Sequence, residues 1–159
     1  MKILYPMLLL AAAWPLTAAA ADPAPSPLLG AWAVDTSKLT MPPEARPKSV
    51  TITYAEAGGG QWSTKVEVVL PDGNKVQALS TYRPDGTPTP VTGNLEADVA
   101  ATRIPEPGVM VTALALKGVP GSMRTYTVSA DGQAMTETVV FFTRDGTPGM
   151  RTNHFTRVK

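Results

Sequence analysis

The side chains able to do chemistry are few and scattered. His154 is the single histidine in 159 residues, and there is no cysteine. Disulfides, thiol catalysis and thiolate metal sites are therefore excluded. A lone His without a His-x-His or His/Glu cluster lacks the companions a metal centre needs. Alternation along the last strand sets His154 opposite Asn153, Phe155 and Arg157, so it is expected on the outer surface. Glu67, Glu96, Asp98 and Glu137 could serve acid–base chemistry, but no spacing pairs them, and a solvated face is expected for them. Met110, Met123, Met135 and Met150 fall on successive strands. Thioethers suit copper(I), yet Met-x-x-Met clusters are missing, and deformable cavity lining is the expected role. Gly58-Gly59-Gly60 lacks the Lys and the helix of a phosphate loop. No catalytic residue, metal site or cofactor is expected, and the chain does not read as an enzyme.

Arg124 and Tyr126 share one face of their strand with Val128. If that face points inward, the arginine is an expensive group kept for a polar ligand; if it points outward, the arginine is ordinary. Both orientations are open at this level. Arg124 and Tyr126 are candidate ligand-binding residues, with Tyr54 and Tyr82 as secondary ones.

The elements that must position these residues are strands. After Gly30 no stretch has convincing helical periodicity; runs of alternating β formers are punctuated by Gly, Pro, Asp and Asn. Strands are expected near residues 30–34, 48–55, 61–70, 75–82, 98–104, 109–117, 123–128, 134–143 and 150–158. In the second, Val50, Ile52 and Tyr54 share a face; in the third, Trp62, Val66, Val68 and Leu70 do, with Lys65 and Glu67 opposite. In the sixth, Met110, Leu114 and Leu116 share a face. Asp35 or Ser37 could cap one helical turn. Residues 41–47 carry three prolines and must be a loop, and residues 83–93 read as a long turn-rich connection. Asp-Gly recurs at Asp72, Asp85, Asp131 and Asp145, a turn signature because Gly supplies the positive φ that hairpins require. A meander of this kind predicts an all-β fold, an antiparallel up-and-down barrel of about 8–10 strands that leaves no exposed edge; the alternative is an open sandwich of similar strand count.

Residues 1–21 have the form of a secretory signal: Lys2, an apolar run broken at Trp14-Pro15, and an Ala19-Ala20-Ala21 exit. The apolar run is short for a membrane span, which needs roughly 20 apolar residues. Residues 22–28 are a Pro-rich tether, and residues 29–159 form one barrel domain. Localisation is expected to be periplasmic or extracellular, with no membrane span after cleavage. The full chain carries 14 Lys and Arg against 13 Asp and Glu. Without Lys2 the signs balance, and no basic run marks a nucleic-acid or anionic-membrane partner.

Leu29-Gly30-Ala31-Trp32 at the start and Asn153-His154-Phe155-Thr156-Arg157 at the end resemble the closure of the lipocalin and fatty-acid-binding superfamily. More closely, the chain resembles small exported bacterial lipocalin-like proteins of unassigned function. It shares with them Gly30-Ala31-Trp32, Asp35-Thr36-Ser37-Lys38, Pro42-Pro43, Lys48-Ser49-Val50 and Pro90-Val91-Thr92-Gly93-Asn94. The resemblance implies that Gly30, Trp32 and Arg157 close the barrel, with the cation over the indole ring, a contact worth about 0.5–2 kcal/mol. Fatty-acid-binding relatives carry an Arg-x-Tyr pair before the closing basic residue. The matching positions here are Asn153 and Phe155, which lack both anion donors. Asn153 can still hydrogen-bond a polar group and Phe155 can line an apolar wall, so both join Arg124 and Tyr126 as candidate ligand-binding residues. The expected function is non-enzymatic binding of a small apolar or amphiphilic molecule by a monomeric barrel. The alternative is a structural or interaction module of the cell envelope with a filled core.

Overall fold

The computed structural model of the chain describes residues 25–93 and 96–159. The expected signal segment, the first residues of the tether (22–24) and Asn94 of the Pro-Val-Thr-Gly-Asn run lie outside the described residues.

Ten antiparallel strands form one sheet: β1 (Gly30–Val34), β2 (Ser49–Gly58), β3 (Gln61–Val69), β4 (Lys75–Tyr82), β5 (Asp85–Pro90), β6 (Val99–Glu106), β7 (Val109–Leu116), β8 (Val119–Val128), β9 (Ala134–Phe142) and β10 (Pro148–Arg157). Each strand pairs with its sequence neighbour except β4 and β5, and β10 returns to β1, so the order runs β4-β3-β2-β1-β10-β9-β8-β7-β6-β5. The two ends of that order, β4 and β5, are linked among the described residues by one bridge, from Leu79 of β4 to Thr92 just past the end of β5. Leu79 N–H donates to the Thr92 carbonyl at 3.0 Å and Thr92 N–H donates back at 2.9 Å. The result is an up-and-down barrel that is nearly closed, compatible with a lipocalin-like fold.

The Asp-Gly recurrence is turn chemistry. In each of the four cases the aspartate accepts from the amide two residues on: Asp72 from Asn74, Asp85 from Thr87, Asp131 from Gln133 and Asp145 from Thr147. This local bond substitutes for a ladder bond where the chain reverses. The turn expected after β1 is a single 3-10 turn, Thr36–Lys38, capped by the Asp35 side chain on Ser37 N. A second, Pro43–Ala45, lies inside the Pro-rich loop.

Two expectations about strands are corrected. The connection at 83–93 contains β5, because Pro88 and Pro90 need no partner for a missing N–H on an edge strand; its pairing to β6 skips register between Asp85 and Pro88. The turn expected at 118–121 is tighter, centred on Lys117 and Gly118, and β8 begins at Val119. Lys117 takes φ 52 there, with its N–H on the Asp98 carboxylate at 3.0 Å.

The core forms where inward faces meet. Trp32, Ile52, Tyr54, Met110, Tyr126, Met135 and Phe155 pack with Leu28 in one buried cluster. Leu28 is fully buried, so the last residue expected in the tether belongs to the packed structure. Met123 and Met150 are exposed on the outer wall, in register with Val140 from either side, while Met110 and Met135 are buried. The expected cavity-lining role thus fails for Met123 and Met150, since their positions fall on the outward parity of β8 and β10. Leu116 is also exposed, unlike Met110 and Leu114 with which it was expected to share a face, because β7 reaches the rim there.

Candidate functional site

The barrel ends are held together at one pole. Trp32 pairs with Arg157 across β1 and β10, and the Arg157 guanidinium lies 4.1 Å from the centre of the Trp32 ring. The indole N–H donates to the Leu28 carbonyl at 2.9 Å. Arg157 donates from Nη2 to Pro27, from Nη1 to Leu29 and from Nε to Gly132 carbonyls, at 2.6, 2.7 and 2.6 Å. One side chain therefore joins the segment before β1 to the β8–β9 turn. Gly30 sits at φ 112, and a Cβ there would stand 2.8 Å from Arg157 Nη1, so the close approach requires glycine. The three closure residues are brought together.

Toward the opposite pole the interior opens into a cavity of about 400 Å³. Val50 and Ile52 of β2, Val66 and Val68 of β3, and Val76 and Ala78 of β4 form an apolar wall. Leu39, Met41, Ala45 and Pro47, from the loop between β1 and β2, lie across the mouth. Arg46 holds that loop in shape by donating to the carbonyls of Met41 and Ser37, at 3.0 and 2.9 Å.

The facing wall, from β8, β9 and β10, is polar and built in layers. Arg124 and Arg151 both pair in register with Val139; one layer deeper, Tyr126 and Asn153 both pair with Glu137; below that, Val128 and Phe155 flank Met135. Residues directly opposite in a sheet point to the same face, so each layer presents its side chains together. Arg124, Tyr126, Asn153 and Phe155, the four candidate ligand residues, all line this cavity. Arg124 therefore takes the inward orientation of the two left open by the sequence.

Glu137 is the centre of the polar wall. It is 2% exposed, and it accepts from Arg124 Nη1 at 3.3 Å and from Asn153 Nδ2 at 2.6 Å. Glu96, on the loop before β6, binds the other terminal nitrogen of Arg124, and Ser122 Oγ lies 3.3 Å from Arg124 Nε. Burial works against the Arg124 charge, but Tyr126, Glu96 and Glu137 outweigh it and hold the guanidinium protonated. Burial pushes the Tyr126 phenol far above its ordinary value, and the Glu137 charge adds to that. Tyr126 is thus a neutral hydroxyl, stacked edge-on against Tyr54 and Phe155 at 6.1 and 6.3 Å between ring centres.

The solvated-face reading of Glu137 is corrected. The signal was present in the sequence: Met135, Glu137 and Val139 share one parity of β9, which puts a carboxylate on an apolar face. Arg151 was missed likewise, although it falls on the same alternation as Asn153, Phe155 and Arg157. Tyr54 and Tyr82, the secondary candidates, are 3% and 4% exposed and line a smaller adjoining cavity of about 70 Å³ that shares Val66, Ala78, Arg124 and Tyr126 with the larger one. Tyr82 shares a hydrogen bond of 2.8 Å with Thr64. His154 is exposed on the outer wall. Among the described residues no group of three or more His, Cys, Asp or Glu side chains is placed to hold a metal ion, and no helix is long and apolar enough to cross a membrane.

No family model matches this chain, and no curated protein sequence matches it.

Proposed function

We propose that this protein is an exported, non-enzymatic, monomeric carrier or sensor that binds a small, partly apolar molecule inside its barrel, in the manner of lipocalin-like proteins. The observation that carries the reading is the cavity of about 400 Å³ with one apolar wall and one polar wall. Ligand sites are commonly of roughly 300–1,000 Å³, mostly apolar, with a few polar groups that fix orientation. Arg124, Tyr126, Glu137 and Asn153 are such groups, and they are already held in place by one another. A barrel serving only as a structural module of the envelope would fill this space with side chains. Glu137 is engaged by Arg124 and Asn153 and so serves to orient them, which leaves it no role as a free acid or base.

The test is displacement of an environment-sensitive fluorescent lipid from the purified protein at micromolar concentration, alongside native mass spectrometry of protein isolated from its own envelope. Saturable binding that is lost when Val68→Trp fills the cavity supports the reading. An absence of displaceable binding by the wild-type barrel would overturn it in favour of the structural module.

A further inference from the structure

The exposed hydrophobic residues gather at one end of the barrel. Nine large ones are exposed among the described residues, and seven of them lie toward the open pole; the other two are Leu79, midway along β4, and Val158, at the closed pole. Val99 and Val119 begin β6 and β8, Leu116 and Phe142 end β7 and β9, and Met41 lies in the loop across the mouth. On the outer wall just below the rim, Met123 and Met150 flank Val140 in one row, with Phe142 two residues further along β9. Met123, Phe142 and Met150 are 55%, 66% and 73% exposed. The outward neighbours of that row are Ala113 beside Met123, and Thr125, Thr138 and Thr152 in the next row toward the closed pole, so no charge interrupts the patch. Met41 is exposed and also lines the cavity, so apolar surface continues from the interior onto the rim.

We infer that this apolar collar docks on the surface of a lipid bilayer, with the mouth toward the membrane and Met123, Phe142 and Met150 entering the headgroup–acyl boundary. The inference does not depend on the cavity holding a ligand. Contiguous exposed apolar surface marks an interaction site, and three observations point to lipid as the occupant. The side chains are Met, Val, Leu and Phe; the Trp, Tyr and Arg anchors that dominate protein–protein contacts are missing from the collar. The rim is uneven. From the row of Met123, Val140 and Met150, β8 runs on for four residues to Val119, whereas β9 and β10 run on for two. That difference is about 6–7 Å; a fluid acyl layer conforms to it, while a folded partner would need a matching step around an opening. The charges also balance. On the turns at this end of β5 to β10, Glu96 is bonded to Arg124, and the remaining charges, Asp98, Lys117, Arg144 and Asp145, are two of each sign. A collar with no net charge suits a zwitterionic headgroup layer and gains nothing from an anionic one, so burial of apolar side chains carries the binding.

The experiment is flotation of the purified protein with phosphatidylcholine vesicles, alone and mixed with phosphatidylglycerol, at low and high salt. The wild type should float with both kinds of vesicle and keep doing so in high salt. Phe142→Gln combined with Met150→Gln should lower partitioning by about tenfold or more, the loss expected for two large apolar side chains, whereas Val158→Gln at the closed pole should leave it unchanged. The chain has no cysteine, so Met150→Cys and Val158→Cys each accept one polarity-sensitive fluorophore. On adding vesicles the label at position 150 should shift to the blue and the label at 158 should not, a readout that needs neither Gln variant to fold. No flotation with either vesicle, flotation that requires phosphatidylglycerol and vanishes in salt, or equal shifts from the two labels would overturn the inference. So would sedimentation showing a wild-type dimer that Phe142→Gln with Met150→Gln dissociates, because the patch would then be covered by a second copy. Val68→Trp, which fills the cavity, should float like the wild type, so membrane docking and ligand binding stand or fall separately.

Discussion

Trp32 and Arg157 face each other across the pairing of the first and last strands, with the guanidinium 4.1 Å from the indole centre and bonded to three carbonyls around it. The pair joins segments about as far apart as the described residues allow, since Arg157 and Pro27 are separated by 130 positions. Its contribution is therefore to closure of the barrel.

Trp32→Ala is expected to cost about 3–5 kcal/mol, the range for truncating a buried aromatic. Arg157→Met should cost about 2–4 kcal/mol by leaving three carbonyls without their donor. Because the groups touch, the double mutant should cost less than the sum of the two, with a coupling of about 0.5–3 kcal/mol. Urea unfolding of the four proteins measures this, and strict additivity would show that the stacked pair contributes nothing of its own.

Gly30→Ala should destabilise by about 1–3 kcal/mol, since φ 112 is unfavourable for any side chain and the new Cβ would meet Arg157 Nη1 at 2.8 Å. The double variant with Arg157→Met should lose only the backbone part of that cost. A thermal melt of Gly30→Ala that coincides with the wild type would refute the close approach.

Glu137→Gln should cost about 3 kcal/mol, because it leaves the Arg124 charge buried with Glu96 as its remaining carboxylate. Replacing both partners, Arg124→Met with Glu137→Leu, should recover much of the loss, as apolar groups of similar volume carry no desolvation penalty. Denaturant midpoints decide between these outcomes; a single variant as stable as the wild type would mean the pair is solvated.

Tyr54, Tyr82 and Tyr126 should resist ionisation while the barrel is folded. Burial raises the phenols of all three above their ordinary value near 10, Tyr54 and Tyr126 most. The unfolded chain releases these protons at lower pH than the folded one, so the stability they contribute is fully present below pH 10 and is lost as pH rises toward the folded values. Tyrosinate absorbance from the three should therefore appear together with loss of near-ultraviolet circular dichroism. Gradual ionisation of all three in an intact barrel would contradict their burial.

The limits of β1, β4 and the start of β7 were legible in the sequence, as was the sharing of one face by Val50, Ile52 and Tyr54, by Arg124, Tyr126 and Val128, and by Asn153, Phe155 and Arg157, though not which face points inward. Alternation is a local property, and Asp-Gly turns carry their own hydrogen bonds. The edge strand β5 was hidden by Pro88 and Pro90, whose lack of an N–H matters only to a strand with two neighbours. Met123 and Met150 were misplaced because composition says nothing about which parity faces in.

From its own residues the chain determined a meander of alternating strands, the positions of most reversals and the two ends able to close on each other. Only the tertiary structure decided that β4 bridges to Thr92 beyond β5, that the interior keeps a cavity, and that Glu137 lies between Arg124 and Asn153 rather than in solvent. Those outcomes depend on register between strands distant in sequence. The identity of the inward face at Arg124 is set by packing around the whole barrel, since a strand by itself offers two equivalent faces.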